Sequence, residues 1–271
     1  MRRLVIIGAF VILALVVPSS EPLRAVTASD PWPLGVHDGT LRRVSAPILM
    51  YHYVSELPED ADEIRRGLTV TPAQFREQIA YLRSASYTPV SLYQLRDALT
   101  RGAPLPERPI ILTFDDGYLD HYVHVFPVLR QYNYTATFFI ITGLADAAQP
   151  GHLNWTQIRE MAAAGMSMES HTKNHPDLRN RSHEFLVYEL LGSLESLSAH
   201  TGRPARVLAY PVGRYDDGVL AVASQLPIEM AVTTQPGVLH TSDRLLELAR
   251  VRVPANAGAV GLAAALRDYG R

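Results

Sequence analysis

The sequence has no cysteine. It can form no disulfide and carries no thiol for lipidation, so core packing must supply its stability. It also lacks a dominant charge: 25 Lys and Arg stand against 27 Asp and Glu, for a net charge of -2 and a pI near 6.6. That balance excludes a bulk electrostatic attraction to nucleic acid or anionic lipid, and no local basic patch makes up for it. Internal repeats and low-complexity tracts are missing too. Long hydrophobic runs are scarce. The one uninterrupted stretch, Leu4 to Val17, has 14 residues, against the roughly 20 that a membrane-spanning helix needs.

What is present begins with that stretch. Arg2 and Arg3 precede it, and Pro18, Ser19 and Ser20 follow it, the basic, apolar, small order of a secretory signal. Val26-Thr27-Ala28 offers small residues for cleavage before Ser29. Residues 1–28 therefore read as a signal peptide or a retained N-terminal anchor, and the protein as exported, either secreted or held at the cell surface. An anchor would give membrane association through this segment. Residues 29–46, punctuated by Pro31, Pro33, Gly35, Asp38 and Gly39, read as a linker. Residues 47–271 read as one domain. A chain that is 47% hydrophobic and 19% charged has ample material for its core.

From Pro47 onward, short apolar runs alternate with amphipathic stretches. The runs predict strands at 48–51, 87–90, 110–114, 136–141, 166–170, 207–210, 230–233 and 250–253. Between them, Thr71 to Gln74 and Ser91 to Gln94 have the spacing of capping boxes. Asn154 can cap a helix closed by Gly165, and a longer helix carrying Leu186, Leu190, Leu194 and Leu197 stops at Gly202. Strand and helix alternating in this way predict a parallel α/β fold, in the form of a barrel.

Four predicted strands end in polar residues that a plain core does not require. Ile110 to Phe114 runs into Asp115-Asp116-Gly117, and Met166 to Ser170 into His171, with His175 four residues on. Ile48 to Tyr51 runs into His52, and Val207 to Tyr210 into Pro211-Val212-Gly213. Taken singly, each has a plain explanation: an Asp-Asp-Gly turn, a surface histidine pair, a core histidine. In a barrel the ends of parallel strands meet on one face, so these residues would meet as well. Two imidazoles and one carboxylate leave a coordination position open for water, as a catalytic zinc requires. Adjacent aspartates cannot both reach one ion from an extended strand end, so one ligand and one base is the natural division.

At these residues the chain resembles the polysaccharide deacetylases, the NodB-homology enzymes of carbohydrate esterase family 4. Thr113-Phe114-Asp115-Asp116-Gly117 is similar to their first motif and His171-Thr172-Lys173-Asn174-His175-Pro176 to their second. Leu49-Met50-Tyr51-His52, Tyr210-Pro211-Val212-Gly213 and Leu248 to Val253 look closest to the biofilm poly-N-acetylglucosamine deacetylases. The resemblance spans roughly residues 46 to 254. It implies a distorted (β/α)7 barrel that hydrolyses N-acetyl groups on an acetylated polysaccharide. It implies Asp115 as base, and Asp116, His171 and His175 as ligands of a divalent metal, most often Zn2+. Val212 would give a backbone N–H to the oxyanion, and His52, in preference to His240, would be the acid. The family's third-motif Arg is missing, because Ala209 occupies its place; Arg250 and Arg214 are the candidates to replace it. His121 and His124 read as structural or rim residues, and Trp155 as a sugar platform or a packing residue. Other readings are an O-acetyl esterase acting on xylan or another glycan, and a non-catalytic glycan-binding barrel.

Overall fold

Seven short, largely buried runs supply the frame. They are β1 (Ile48–Tyr51), β2 (Pro109–Phe114), β3 (Thr137–Ile140), β4 (Ser167–Ser170), β5 (Val207–Ala209), β6 (Met230–Pro236) and β7 (Leu248–Arg252). In this computed structural model, which describes residues 35–255 and 257–269, they join in the order β1-β7-β6-β5-β4-β3-β2. A pairing of β1 with β2 closes the ring, and every pair in it is parallel. The expected (β/α)7 barrel is the fold. The signal or anchor read from residues 1–28 lies outside the described residues.

Parallel strands need both faces covered, and the side chains divide by the two-residue period. Ile48, Ile111, Phe139, Val207, Ala209 and Met230 fill the barrel interior. Their neighbours Leu49, Leu112, Phe138, Leu208 and Ala231 pack outward with the helices. The main helices are α1 (Pro72–Ser84), α2 (Leu92–Arg101), α3 (Phe126–Tyr132), α4 (Trp155–Ala163), α5 (His183–Thr201), α6 (Asp217–Ala223) and α7 (Ala259–Tyr269). Capping boxes at Thr71 and Ser91 start α1 and α2, as their sequences predict, and the predicted cap Asn154 starts α4, there also within a capping box. Left-handed Gly202 ends α5. Leu92, Tyr93, Leu95 and Leu99 of α2 join the interior cluster, so this helix plugs the end where the strands begin.

The structure departs from the sequence reading in two places. The run at 87–90 gives only Thr88–Pro89, an appendage on the start of β2 outside the ring. Pro89 has no N–H to donate to a further strand, which suits an edge. The stretch around His240 is a strand, not a loop: Leu239–Thr241 pairs antiparallel with Arg43–Ser45. Residues 43–46, at the end of the stretch read as a linker, are therefore bound to the barrel. Ala46 is buried, and its N–H donates to the Val238 carbonyl at 2.8 Å.

Candidate active site

Because the seven strands are parallel, their C-terminal ends open on one face. His52 follows β1, Asp115 and Asp116 follow β2, His171 follows β4, and Val212 lies just after β5. All of them border one cleft of about 700 Å3, together with His175, Tyr210 and Arg252.

The two aspartates part company at the strand end. The Asp115 N–H still donates to the Tyr51 carbonyl at 3.0 Å, continuing the ladder. Asp116 turns into the left-handed region at φ 71°, which short polar residues tolerate best. The ladder holds one carboxylate and the turn swings the other away. Asp116 Oδ1 lies 3.3 Å from His171 Nε2 and 3.6 Å from His175 Nε2. One ligand atom from each of the three lies within 4.8 Å of the others. The loop bearing the imidazoles is itself tightly wound, with Thr172 and His175 at φ 65° and 57°. The Thr172 hydroxyl accepts from the His175 N–H at 2.9 Å.

The donor set fits a divalent cation. His171 Nδ1–H donates to the Ala209 carbonyl at 2.8 Å, which fixes the tautomer and leaves Nε2 facing Asp116. Burial works against ionisation of Asp116, but the hydrogen bond and charge of His171 override it. The carboxyl is held well below the usual carboxylate range. An ionised carboxylate beside two imidazole nitrogens is the ligand chemistry of zinc and related ions.

Asp115 faces a different partner. Arg250, fully buried on β7, donates from both terminal nitrogens to the two Asp115 oxygens at 2.7 Å each. Its Nε–H donates to the Thr233 carbonyl at 2.8 Å, and one terminal nitrogen also reaches Thr113 Oγ1 at 3.2 Å. Burial pushes the Asp115 carboxyl up, yet the Arg250 charge more than cancels this and keeps it low. Of the two candidates to replace the missing third-motif Arg, Arg250 is the one that holds Asp115. Arg214 is exposed and bonds Asp177 at 3.3 Å.

His52 Nε2 stands 3.7 Å from Asp115 Oδ2. Burial pushes its imidazole down to about 4, against the pull of Asp115 and Asp116. Val212 lies at the cleft edge with φ 56°. Gly213 continues that turn at φ 69°, and a Cβ there would lie 2.1 Å from Thr234 Oγ1, so only glycine fits.

The structure does not bring every candidate here. His240 is buried beside the strand Arg43–Ser45, its Nε2–H donating to the Ala46 carbonyl at 2.9 Å, and it borders a separate concavity. Trp155 stacks on His200 at 3.9 Å and donates to Asp146 at 3.0 Å, outside the cleft. It is a packing residue. His124 is not among the cleft residues.

A family model described as polysaccharide deacetylase matches residues 102–231. The Bacillus subtilis protein YxkH, which bears a polysaccharide deacetylase name, is 31% identical over 214 residues, 79% of this chain and 73% of that protein. The chain belongs to the polysaccharide deacetylase family. The fold is similar to that of the Streptococcus pyogenes deacetylase PplD in complex with acetate. That match has a TM-score of 0.76 and 31% identity, over 83% of this chain and 99% of that one. The poly-β-1,6-N-acetyl-D-glucosamine N-deacetylase of Escherichia coli is 33% identical over 165 residues, 56% of this chain and only 23% of that relative.

The sequence did not single out three further cleft residues of this polysaccharide deacetylase. Tyr53 and Tyr118 stack at 3.8 Å, and the Arg65 guanidinium covers the free face of Tyr53 at 3.1 Å. Tyr118 directly follows Asp115-Asp116-Gly117, and Tyr53 follows His52, so proximity to the motifs was the available signal.

Proposed function

We propose that this polysaccharide deacetylase removes N-acetyl groups from an exported N-acetylglucosamine polymer by metal-assisted hydrolysis. The observation that carries the reading is the division between neighbours: Asp116 faces His171 and His175, while Asp115 faces Arg250. One carboxylate is set up as a ligand and the other as a base, within one cleft.

Asp116, His171 and His175 would hold a divalent cation, most often zinc, which when bound lowers the pKa of a water and polarises the acetamide carbonyl. Asp115, ionised and clamped in place, accepts a proton from the attacking water at a carboxylate oxygen. The Val212 N–H, at the cleft edge, donates to the oxygen on which charge develops. His52 delivers a proton to the departing amine nitrogen, because an amine leaves poorly without one. A buried, neutral His52 must first gain that proton. Asp115 Oδ2, 3.7 Å from its Nε2, is the group placed to hand it on.

The polymer is proposed from the relatives named as poly-β-1,6-N-acetyl-D-glucosamine N-deacetylases. Export, by secretion or by an N-terminal anchor that would give membrane association, is proposed from residues 2–17. Acetate release decides the matter, measured on β-1,6- and β-1,4-linked N-acetylglucosamine oligomers and on acetylated xylan. Each is assayed with enzyme as purified, chelated, and zinc-restored. The expected result is chelator-sensitive release from a β-1,6-linked oligomer. Release from xylan alone would make the chain an O-acetyl esterase, and metal-free protein with no turnover would make it a binding barrel.

A further inference from the structure

His121 lies on the segment after the Asp115-Asp116-Gly117 turn, where the chain makes a single wide turn, His121–Val125, before α3. Such π-type turns are uncommon and often sit beside functional sites. This one buries the imidazole completely. The ring meets Phe114 at 5.4 Å, Phe138 at 5.7 Å and Tyr118 at 5.9 Å. Its Nε2 lies 2.6 Å from the His52 carbonyl, an acceptor only, so that nitrogen carries the hydrogen and donates it.

That bond falls where β1 has ended and the His52 side chain turns into the cleft. The next carbonyl partner along β1 is already spoken for: Tyr51 accepts from the Asp115 N–H. At His52 the ladder has run out, and a side chain takes over from a backbone donor. The neighbouring Asp120 adds a second tie, its Oδ2 accepting from the Val54 N–H at 3.1 Å. Between them, residues 120 and 121 hold the backbone on both sides of Tyr53, directly after His52.

We infer that His121 is a positioning residue for His52, the bond from its Nε2–H to the His52 carbonyl holding that imidazole in line with Asp115. This rests on the proposed role of His52 as proton donor to the amine. The test compares His121→Phe, which keeps a flat ring and loses the donor, with His121→Gln, which can donate from its amide. His52→Ala serves as the reference in the zinc-loaded enzyme. Losing one net hydrogen bond of ordinary strength should lower turnover of an N-acetylglucosamine oligomer roughly tenfold. His121→Phe should show that loss in kcat, with KM, zinc content and turnover of an activated acetyl ester close to wild type. His121→Gln should recover most of it. Equal losses on amide and ester, or equal behaviour of Phe and Gln at matched melting temperatures, would mean that His121 only packs. If His52→Ala itself loses amide and ester alike, the acid role fails and this inference falls with it. If His52→Ala is amide-selective and His121→Phe is not, the inference alone is overturned.

Discussion

The guanidinium of Arg250 and the carboxylate of Asp115 form a fully buried two-point pair, 2.7 Å at each contact, across adjoining regions of the barrel wall. The pair fixes the plane of the carboxylate, which a single-point cation could not do. It also keeps Asp115 ionised in a place where burial alone would favour the neutral acid.

Arg250→Lys should therefore not rescue Arg250→Met. Both are expected to lose most turnover while binding metal normally, because Asp116, His171 and His175 are untouched. Removing one partner of a buried pair typically costs about 3–5 kcal/mol, so Arg250→Met should also lower the denaturation midpoint. Kinetics, metal analysis and denaturant titration on the same preparations check this. Full activity in Arg250→Lys would show that charge alone suffices.

The neighbouring aspartates should separate cleanly. Asp116→Asn, His171→Ala and His175→Ala are expected to lose most of their bound metal, since two ligands hold zinc poorly. Asp115→Asn should keep its metal and lose turnover by on the order of 100-fold or more, as loss of a base does. Metal content by mass spectrometry decides it. Metal lost from Asp115→Asn and retained by Asp116→Asn would reverse the two roles.

Much of this arrangement was legible because strand ends are legible. Apolar runs that stop at Asp115, His171 and His52 announce a barrel face, and capping boxes at Thr71 and Ser91 with an N-cap at Asn154 announce the helices between. Arg250 was legible only as one of two candidates. Choosing it over Arg214 depends on β7 lying beside β1, and β1 beside β2, pairings with no local trace. His240 misled for a similar reason. Its polar neighbours read as a loop, while the partner that makes it a strand, Arg43–Ser45, lies some two hundred residues away. The His121 bond to His52 was invisible because it joins a side chain to a backbone atom across 69 residues.

His52 should reveal itself by substrate. An amine must be protonated to leave, whereas an activated phenolate departs unaided. His52→Ala is expected to keep its metal, lose most hydrolysis of N-acetylglucosamine oligomers, and retain much of its activity on an activated acetyl ester. Parallel kcat/KM measurements on the two substrates test this. Equal losses on both would move the proton donor elsewhere.

His240 should reveal itself by stability and not by chemistry. Its ring is buried, its Nε2–H holds the Ala46 carbonyl, and burial lowers its pKa from the ordinary 6.5. An unfolded chain takes up a proton at His240 near pH 6.5, whereas the folded chain takes it up only at lower pH. Below 6.5 the unfolded state thus binds more protons, and folding stability falls as pH falls; above 6.5 this contribution is constant. His240→Gln can still donate to Ala46 but cannot titrate. It should match wild type near pH 8 and lose less stability than wild type between about pH 6.5 and 5. His240→Ala, which leaves the Ala46 carbonyl without its donor, should lose roughly 1–3 kcal/mol relative to wild type near pH 8, and this deficit should narrow below pH 6.5 because the variant does not titrate there. Both variants should retain the wild-type amide-to-ester ratio. Denaturant midpoints across this pH range provide the measurement, and identical acid profiles for wild type and His240→Gln would show that this imidazole does not contribute.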